Sequence, residues 1–451
     1  MSKQRIWIDM TDLDRWSGHM TGVQRVVYQN ALRFAQAPEY DTHCFVFDDT
    51  HKLFVEVPFA TIQDKIEQAV AHGQHDAAPA GGLKHLLRRV PRAVVRRIPA
   101  RVKRRVPSLV KRGLRKGARV GLHAAVRTKQ GLRRRLQTSV GQAPAGVVFS
   151  SKDTVLLMGK SWDLPDLMPA LGRLKQTQHF KIIHLVHDLI PIFEVQLFGP
   201  GLFEPYTRNM FEICSLSDGI LTNSKATKKD VERFCRELHI PQPPIQDVRL
   251  GDDLLTIELP AGEPAPDPRI EKGKFILQVG TIEIRKNHQL VYMAYREAAL
   301  RGIDLPTWVV MGSQGWLVGD VLWQMEHDPL VKDKIVILRG FPDRARLWLY
   351  QNCRLTVCPS TYEGWGMPIG ESLAYGKVCI TSKTSSMPEV GGAFGDYVSP
   401  YNSQELTEKL ITYMDDKQLA QREAAIAKGY KPTTWDTTYG QVAAFVGRVN
   451  A

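Results

Sequence analysis

Pro359-Ser-Thr-Tyr-Glu363-Gly-Trp-Gly366-Met-Pro368-Ile-Gly370-Glu371 follows the apolar run Leu355 to Cys358 and leads into a helical pattern from Pro368 to Tyr375. A short apolar strand, a glycine-rich loop and a helix opening on proline form the repeating unit of parallel α/β sheets. Amides at such a helix start, on small residues such as Gly370, donate to an anionic group such as phosphate. Glu363 in the loop and Glu371 in the first turn stand eight positions apart, so both carboxylates reach a ligand rich in hydroxyls. A plainer reading of the same residues has Glu371 complementing the helix dipole and Glu363 at the surface.

Strands are expected on either side at Phe275 to Val279, Thr307 to Met311, Ile335 to Leu338 and Val378 to Thr381. Helices are expected at Asn287 to Arg301, Asp343 to Gln351, Glu405 to Met414 and Leu419 to Gly429. The N-terminal half has the same rhythm. Strands are expected at Arg5 to Ile8, His43 to Phe47, Thr154 to Met158, Lys181 to Val186, Gly219 to Thr222 and Asp247 to Leu250. Helices are expected from Val23, at Glu204 to Leu216 and at Ser224 to Leu238, with a polar loop from Asp9 to Thr21. Residues 256–272 are proline-rich and read as a linker. The expected architecture is α/β: domain 1–255, linker 256–272, domain 273–430, and a last amphipathic helix within 431–451, a candidate for crossing back to the first domain. Two doubly wound domains place ligands at the carboxyl ends of their strands, in the cleft between them.

The order of motifs resembles glycosyltransferase family 4, whose members have the GT-B fold and an E-x7-E signature matched by Glu363 and Glu371. Gly280-Thr-Ile-Glu-Ile-Arg285-Lys286-Asn287 resembles the family's loop in which basic side chains hold the nucleotide diphosphate. Gly340-Phe341 resembles the segment that packs on the base, and Ser385-Ser-Met-Pro388-Glu389-Val-Gly391 the stretch after the next strand. In the first half, Thr21-Gly22-Val-Gln-Arg25 resembles a branch that builds bacterial surface polysaccharides, many of its members mannosyltransferases. His187-Asp188-Leu-Ile-Pro191 resembles the family's His-Asp loop, and Thr222-Asn-Ser224 its next helix start. The resemblance implies Glu363, His187, Asp188 and Lys286 as catalytic residues. It implies Gly22, Arg285, Lys286, Gly340, Phe341, Gly366, Met367, Pro368, Ile369, Gly370 and Glu371 on the donor, and Thr21, Arg25 and Ser224 on the acceptor side. Glu363 falls on the donor sugar and Glu371 on the ribose. One departure is Thr281, where many relatives carry arginine, so Arg285 and Lys286 must supply the positive charge.

The chain has 451 residues and a formal charge of +13. The excess is local: Ala77 to Lys152 contains no Asp or Glu, and Lys84 to Arg135 holds 20 Lys and Arg. The remaining chain carries 40 basic against 47 acidic residues, a net of −7. Arg-Arg-Val/Ile-Pro recurs at Arg88, Arg96 and Arg104, and proline at that period forbids one continuous helix. This basic insertion, about 77–145, suits an anionic membrane surface through residues 84–135. It holds no Phe, Tyr or Trp between Lys84 and Val140 for base stacking, which argues against nucleic acid.

No window has the roughly 18–20 apolar residues of a membrane span. Six scattered cysteines without a CxxC pair read as reduced thiols. A cytoplasmic protein, peripheral on the inner face of the membrane, is expected. Asp12-Leu-Asp14 reads as a charged turn, and no metal or cofactor is expected. The implied function is a retaining, metal-independent transfer of a sugar, GDP-mannose favoured as donor, to a lipid-linked glycan acceptor. Two alternatives stay open at this point: a polyanion- or membrane-binding scaffold on the inherited fold, and a sugar-nucleotide epimerase of the same fold.

Overall fold

A computed structural model of the chain describes residues 3–16, 20–71, 146–252, 259–260 and 262–450. The basic insertion 77–145, with its segment 84–135, lies outside the described residues, as does part of the 256–272 stretch.

Thirteen described strands form two sheets. The first contains β1 (Gln4–Asp9), β2 (Tyr40–Asp48), β3 (Leu53–Glu56), β4 (Thr154–Leu157), β5 (Lys181–Val186), β6 (Gly219–Thr222) and β7 (Ile245–Asp247), in the order β3-β2-β1-β4-β5-β6-β7. Every pair is parallel except β2 with β3. The second contains β8 (Phe275–Val279), β9 (Thr307–Met311), β10 (Ile335–Leu338), β11 (Leu355–Cys358), β12 (Cys379–Ser382) and β13 (Asp396–Val398), all parallel, in the order β10-β9-β8-β11-β12-β13. Both orders reverse once, between β1 and β4 and between β8 and β11. A doubly wound sheet opens its ligand crevice at that reversal. The fold is the expected α/β GT-B arrangement of two Rossmann-like domains.

Parallel strands covered on both faces read as continuous apolar runs. In β1, Ile6 and Ile8 enter one core while Trp7 enters the other, where Phe45, Phe54, Phe149 and Phe180 surround it. In β8, Phe275 and Leu277 face one core and Ile276 the opposite one. The last helix, Trp435–Asn450, returns to the N-terminal domain and lies against the helix Gly22–Gln36. Glycine makes room for it: a Cβ at Gly219 would stand 2.8 Å from Phe445, and one at Gly251 2.7 Å from Trp435.

Three sequence expectations are corrected. The polar loop after Asp9 contains a helical turn, Thr11–Asp14, because Met10 and Leu13 share an inward face and both are fully buried. The strand expected at Asp247 to Leu250 is Ile245–Asp247, where pairing with β6 ends. Beyond it the chain turns so that Gly251 and Asp252 meet Trp435 and Thr433. Part of the proline-rich stretch is packed rather than free. Ile270 is 3% exposed, and the Trp348 indole N–H donates to the Glu263 carbonyl at 3.0 Å.

Candidate active site

The loops after β8 and β11, at the second sheet's reversal, bring three ions together. Gly280 ends β8 with φ of 139°, a conformation side chains rarely adopt, and the stem of Lys286 lies over it. Lys286 Nζ donates to Glu363 Oε1 at 2.7 Å, and Arg285 to Glu363 Oε2 at 2.5 Å. Arg285 also donates to the Tyr362 carbonyl at 2.8 Å and to Glu283 at 2.6 Å, and the Ser360 hydroxyl to Glu363 Oε1 at 2.6 Å. Glu363 is only 5% exposed. Burial pushes its carboxyl upward, but Arg285 and Lys286 prevail and hold it down at about 2. It is therefore ionised at any ordinary pH. Lys286 has three N–H donors and Arg285 five, so several remain for an incoming anion.

Glu371, 2% exposed in the helix Met367–Ala374, accepts from the Tyr350 hydroxyl at 2.8 Å and from Arg25 at 2.6 Å. Burial raises its carboxyl, and Arg25 followed by Arg346 more than offset this, leaving it below the usual range. Arg25 belongs to the N-terminal domain and is itself 3% exposed. Arg25, expected on the acceptor side, has its guanidinium on Glu371.

The remaining expected residues sort clearly. Gly22 opens the helix Gly22–Gln36, with Thr21 and Gln24 forming a reciprocal capping box, and a Cβ at Gly22 would meet Met367 Sδ at 2.8 Å. Gly366 takes φ of 104° as the N-cap of helix Met367–Ala374. Pro368 has no N–H, and that of Ile369 goes to the Gly366 carbonyl, so fewer helix-start amides face a ligand than expected. A Cβ at Gly370 would lie 2.1 Å from Asp252 Oδ1, a buried oxygen without a hydrogen-bond partner among the described residues. Gly340 has φ of 72°, and Phe341 packs at the edge of the β8–β10 core. Ser224 is buried and caps its own helix, its hydroxyl accepting from Thr227 N–H.

His187 closes the crevice from the other side. Its Nε2 lies 2.7 Å from the Met158 carbonyl, so that nitrogen carries the proton and donates. Burial lowers the imidazole to about 4, the nearby Lys160 also acting downward, so the ring is neutral and Nδ1 can only accept. Gly364 passes so near that an added Cβ would stand 2.1 Å from the His187 carbonyl oxygen. Asp188 is shifted upward by burial, with Arg285 opposing, and accepts from Ile190 N–H at 3.0 Å. His184 Nε2 lies 3.2 Å from the Ser161 hydroxyl. Among the described residues no group of three or more His, Cys, Asp or Glu is arranged to hold a metal ion.

Glu283, Ser360, Tyr350 and Ser386 belong to the site and were not anticipated. Tyr350 and Ser386 act through hydrogen bonds to residues 21 to 23 positions away, which no spacing rule exposes, whereas Glu283 and Ser360 stand two and three residues from Arg285 and Glu363, inside the loops already singled out.

Residues 263–431 match the family model described as glycosyl transferases group 1. This segment is a group 1 glycosyl transferase domain. O-antigen chain mannosyltransferase B of Escherichia coli is 31% identical over 165 residues, 36% of this chain and 42% of the relative. A serotype-specific mannosyltransferase WbdA of Escherichia coli is 25% identical over 236 residues, 50% of this chain and 29% of the relative. The chain thus spans less than half the length of these curated relatives. Among solved structures, Anabaena HepE in complex with UDP and glucose superposes over 99% of this chain and 100% of its own, with TM-score 0.57 and 13% identity. Over the matched residues the chain resembles the bacterial O-antigen mannosyltransferases, and its fold is GT-B. Among the described residues no helix is long and apolar enough to cross a membrane.

Proposed function

We propose that the protein is a retaining glycosyltransferase of surface-polysaccharide synthesis, moving a sugar from a nucleotide-sugar, GDP-mannose favoured, to a lipid-linked glycan. The observation that carries this is the buried Arg285–Lys286–Glu363 cluster at the strand-order reversal, with Glu371 one helix turn beyond the loop. A departing nucleoside diphosphate needs positive charge aimed where negative charge develops, and Arg285 and Lys286 offer their spare N–H donors there. This supply is independent of metal. Glu363, permanently ionised, accepts from hydroxyls of the donor sugar, and Glu371 has lone pairs free for the ribose. His187, neutral and accepting only through Nδ1, orients a sugar hydroxyl and does not serve as a general acid.

Transfer then proceeds on the front face. The leaving phosphate oxygen takes the acceptor hydroxyl's proton while the new bond forms on the side the nucleotide leaves, so configuration is retained. Packing of Gly364 on His187 and Gly22 on Met367 excludes water from the crevice and limits hydrolysis of the donor.

Two experiments test the proposal. A thermal-shift screen against GDP-, UDP- and dTDP-sugars identifies the donor by mass action, a ligand at about 100 times its Kd adding about 2.7 kcal/mol. No shift with any nucleotide-sugar would overturn it. The basic segment 84–135 is proposed to hold the enzyme on the anionic inner face of the membrane. Its deletion should abolish binding to phosphatidylglycerol vesicles and spare transfer to a soluble acceptor; retained vesicle binding refutes that role.

A further inference from the structure

The helix Lys225–Glu237 in the N-terminal domain begins at Ser224, whose backbone is extended at φ −158°, ψ 162°. A helix start leaves its first N–H groups without carbonyl partners. The Ser224 hydroxyl accepts from Thr227 N–H at 2.9 Å, and Lys228 N–H begins the regular ladder at the Ser224 carbonyl. The two remaining donors are not left to solvent. Lys225 N–H donates to Glu389 Oε2 and Ala226 N–H to Glu389 Oε1, each at 2.8 Å. Glu389 comes from the other domain, so the cap of this helix is completed across the domain boundary.

The short stretch carrying Glu389 also fixes the Glu363 loop. Glu363 N–H donates to Ser385 Oγ at 2.9 Å, and the Ser386 hydroxyl lies 2.9 Å from the Glu363 carbonyl and 2.7 Å from that of Trp365. From the N-terminal domain, Arg249 donates to the Glu389 and Val390 carbonyls at 2.9 and 3.2 Å. A carboxylate on two free amides at the positive end of a 13-residue helix is a favourable charge–dipole contact, and it exists only when the domains are shut.

We infer that Glu389 is a closure latch: a positioning residue that holds the domains together by capping the helix at Lys225 and Ala226. Shutting the crevice and fixing the Glu363 loop are then one event. Its effect on turnover rests on the transferase reading above; its effect on closure does not.

The test uses the full chain. Spin labels on cysteines replacing the exposed Arg236 and Glu326 report the interdomain distance, the native cysteines being buried. Glu389→Ala should lengthen or broaden that distance and lower kcat/KM for the donor on the order of tenfold. About 100 mM formate, a free carboxylate for the vacated amides, should restore much of the loss and leave the parent protein unchanged. Lys225→Pro attacks the same contact from the other side. It deletes one donor at a first-turn position that favours proline, after a residue already extended as proline requires. It should weaken closure alone and add nothing to Glu389→Ala, while Lys225→Ala behaves as the parent.

An unchanged distance in Glu389→Ala overturns the latch. So do effects of Lys225→Pro and Glu389→Ala that multiply independently, or a loss that formate does not relieve. If no nucleotide-sugar supports transfer by the parent protein, the transferase reading falls and the distance measurement still decides the latch.

Discussion

Replacing Arg25 by Met removes a cation from the pair with Glu371 while keeping most of the stem's volume. The two side chains are 4% and 3% exposed, and stripping one partner from a buried pair costs about 3–5 kcal/mol. Glu371 keeps the Tyr350 hydroxyl at 2.8 Å and the field of Arg346, so the low end, about 3 kcal/mol, is the better figure. That corresponds to on the order of 100-fold in binding. The loss should appear in nucleotide affinity by titration calorimetry and in the donor KM, with the acceptor KM nearly unchanged.

A pH signature accompanies it. Burial pushes the Glu371 carboxyl upward and Arg25 is the chief opposing charge, so in Arg25→Met the carboxyl rises. A carboxylate held low contributes above its unfolded range and loses that contribution as pH falls through the folded value. Donor binding by Arg25→Met should therefore decline at a higher pH than in the parent. Arg25→Lys keeps the charge but not the planar fork and should fall between. If the variant binds nucleotide within about threefold of the parent and only the acceptor KM rises, the reasoning is refuted and Arg25 returns to the acceptor side.

Three further outcomes are expected. Glu363→Gln should lower transfer by about 100-fold or more, since it loosens both Arg285 and Lys286; because Glu363 titrates at about 2, the parent's pH–rate profile should show no limb from it above pH ~4. Gly364→Ala places a methyl group 2.1 Å from a backbone oxygen, whereas Gly22→Ala meets a flexible thioether at 2.8 Å. Steady-state kinetics should show the former losing at least about tenfold more activity, and equal effects would contradict rigid seating of that loop. Asp9, 6% exposed, is raised from 3.8 to about 6 by burial against two Thr11 contacts. A raised carboxyl is most stabilising while protonated, below the unfolded value, and that contribution is lost as pH climbs to the folded one. Asp9→Asn should then be more stable than the parent at pH ~8, by on the order of 1–3 kcal/mol, with no advantage at pH ~4 in denaturant melts.

Much of the scaffold is legible from residues alone because buried parallel strands are nearly pure apolar runs. Lys181–Val186, Gly219–Thr222, Phe275–Val279, Thr307–Met311, Ile335–Leu338 and Leu355–Cys358 all stand where their composition places them. Elements with mixed faces were harder to see. The edge strand Leu53–Glu56 is only four residues long, too short to show a period, and the helices Leu167–Gln178 and Gly319–His327 mix polar and apolar residues, so their periodicity is shallow. The Ile270 stretch reads as linker because proline marks a break in regular structure without saying whether the chain is packed.

The candidate site divides in the same way. Glu363, Arg285, Lys286 and Glu371 are visible in the sequence because each sits in a motif whose local geometry, strand end to glycine loop to helix, is short-range. Their partners come from elsewhere. Arg25 lies 346 residues before Glu371, and Glu389 lies 164 after Lys225, so no local pattern links either pair. Sequence alone settled which residues carry the charges and which loops present them. Only the packing of one domain on the other decided that Arg25 pairs with the buried Glu371 carboxylate and that Glu389 finishes a helix it does not belong to. Local backbone preference acts over a few residues, while the burial of a charge is determined by whatever surface closes over it.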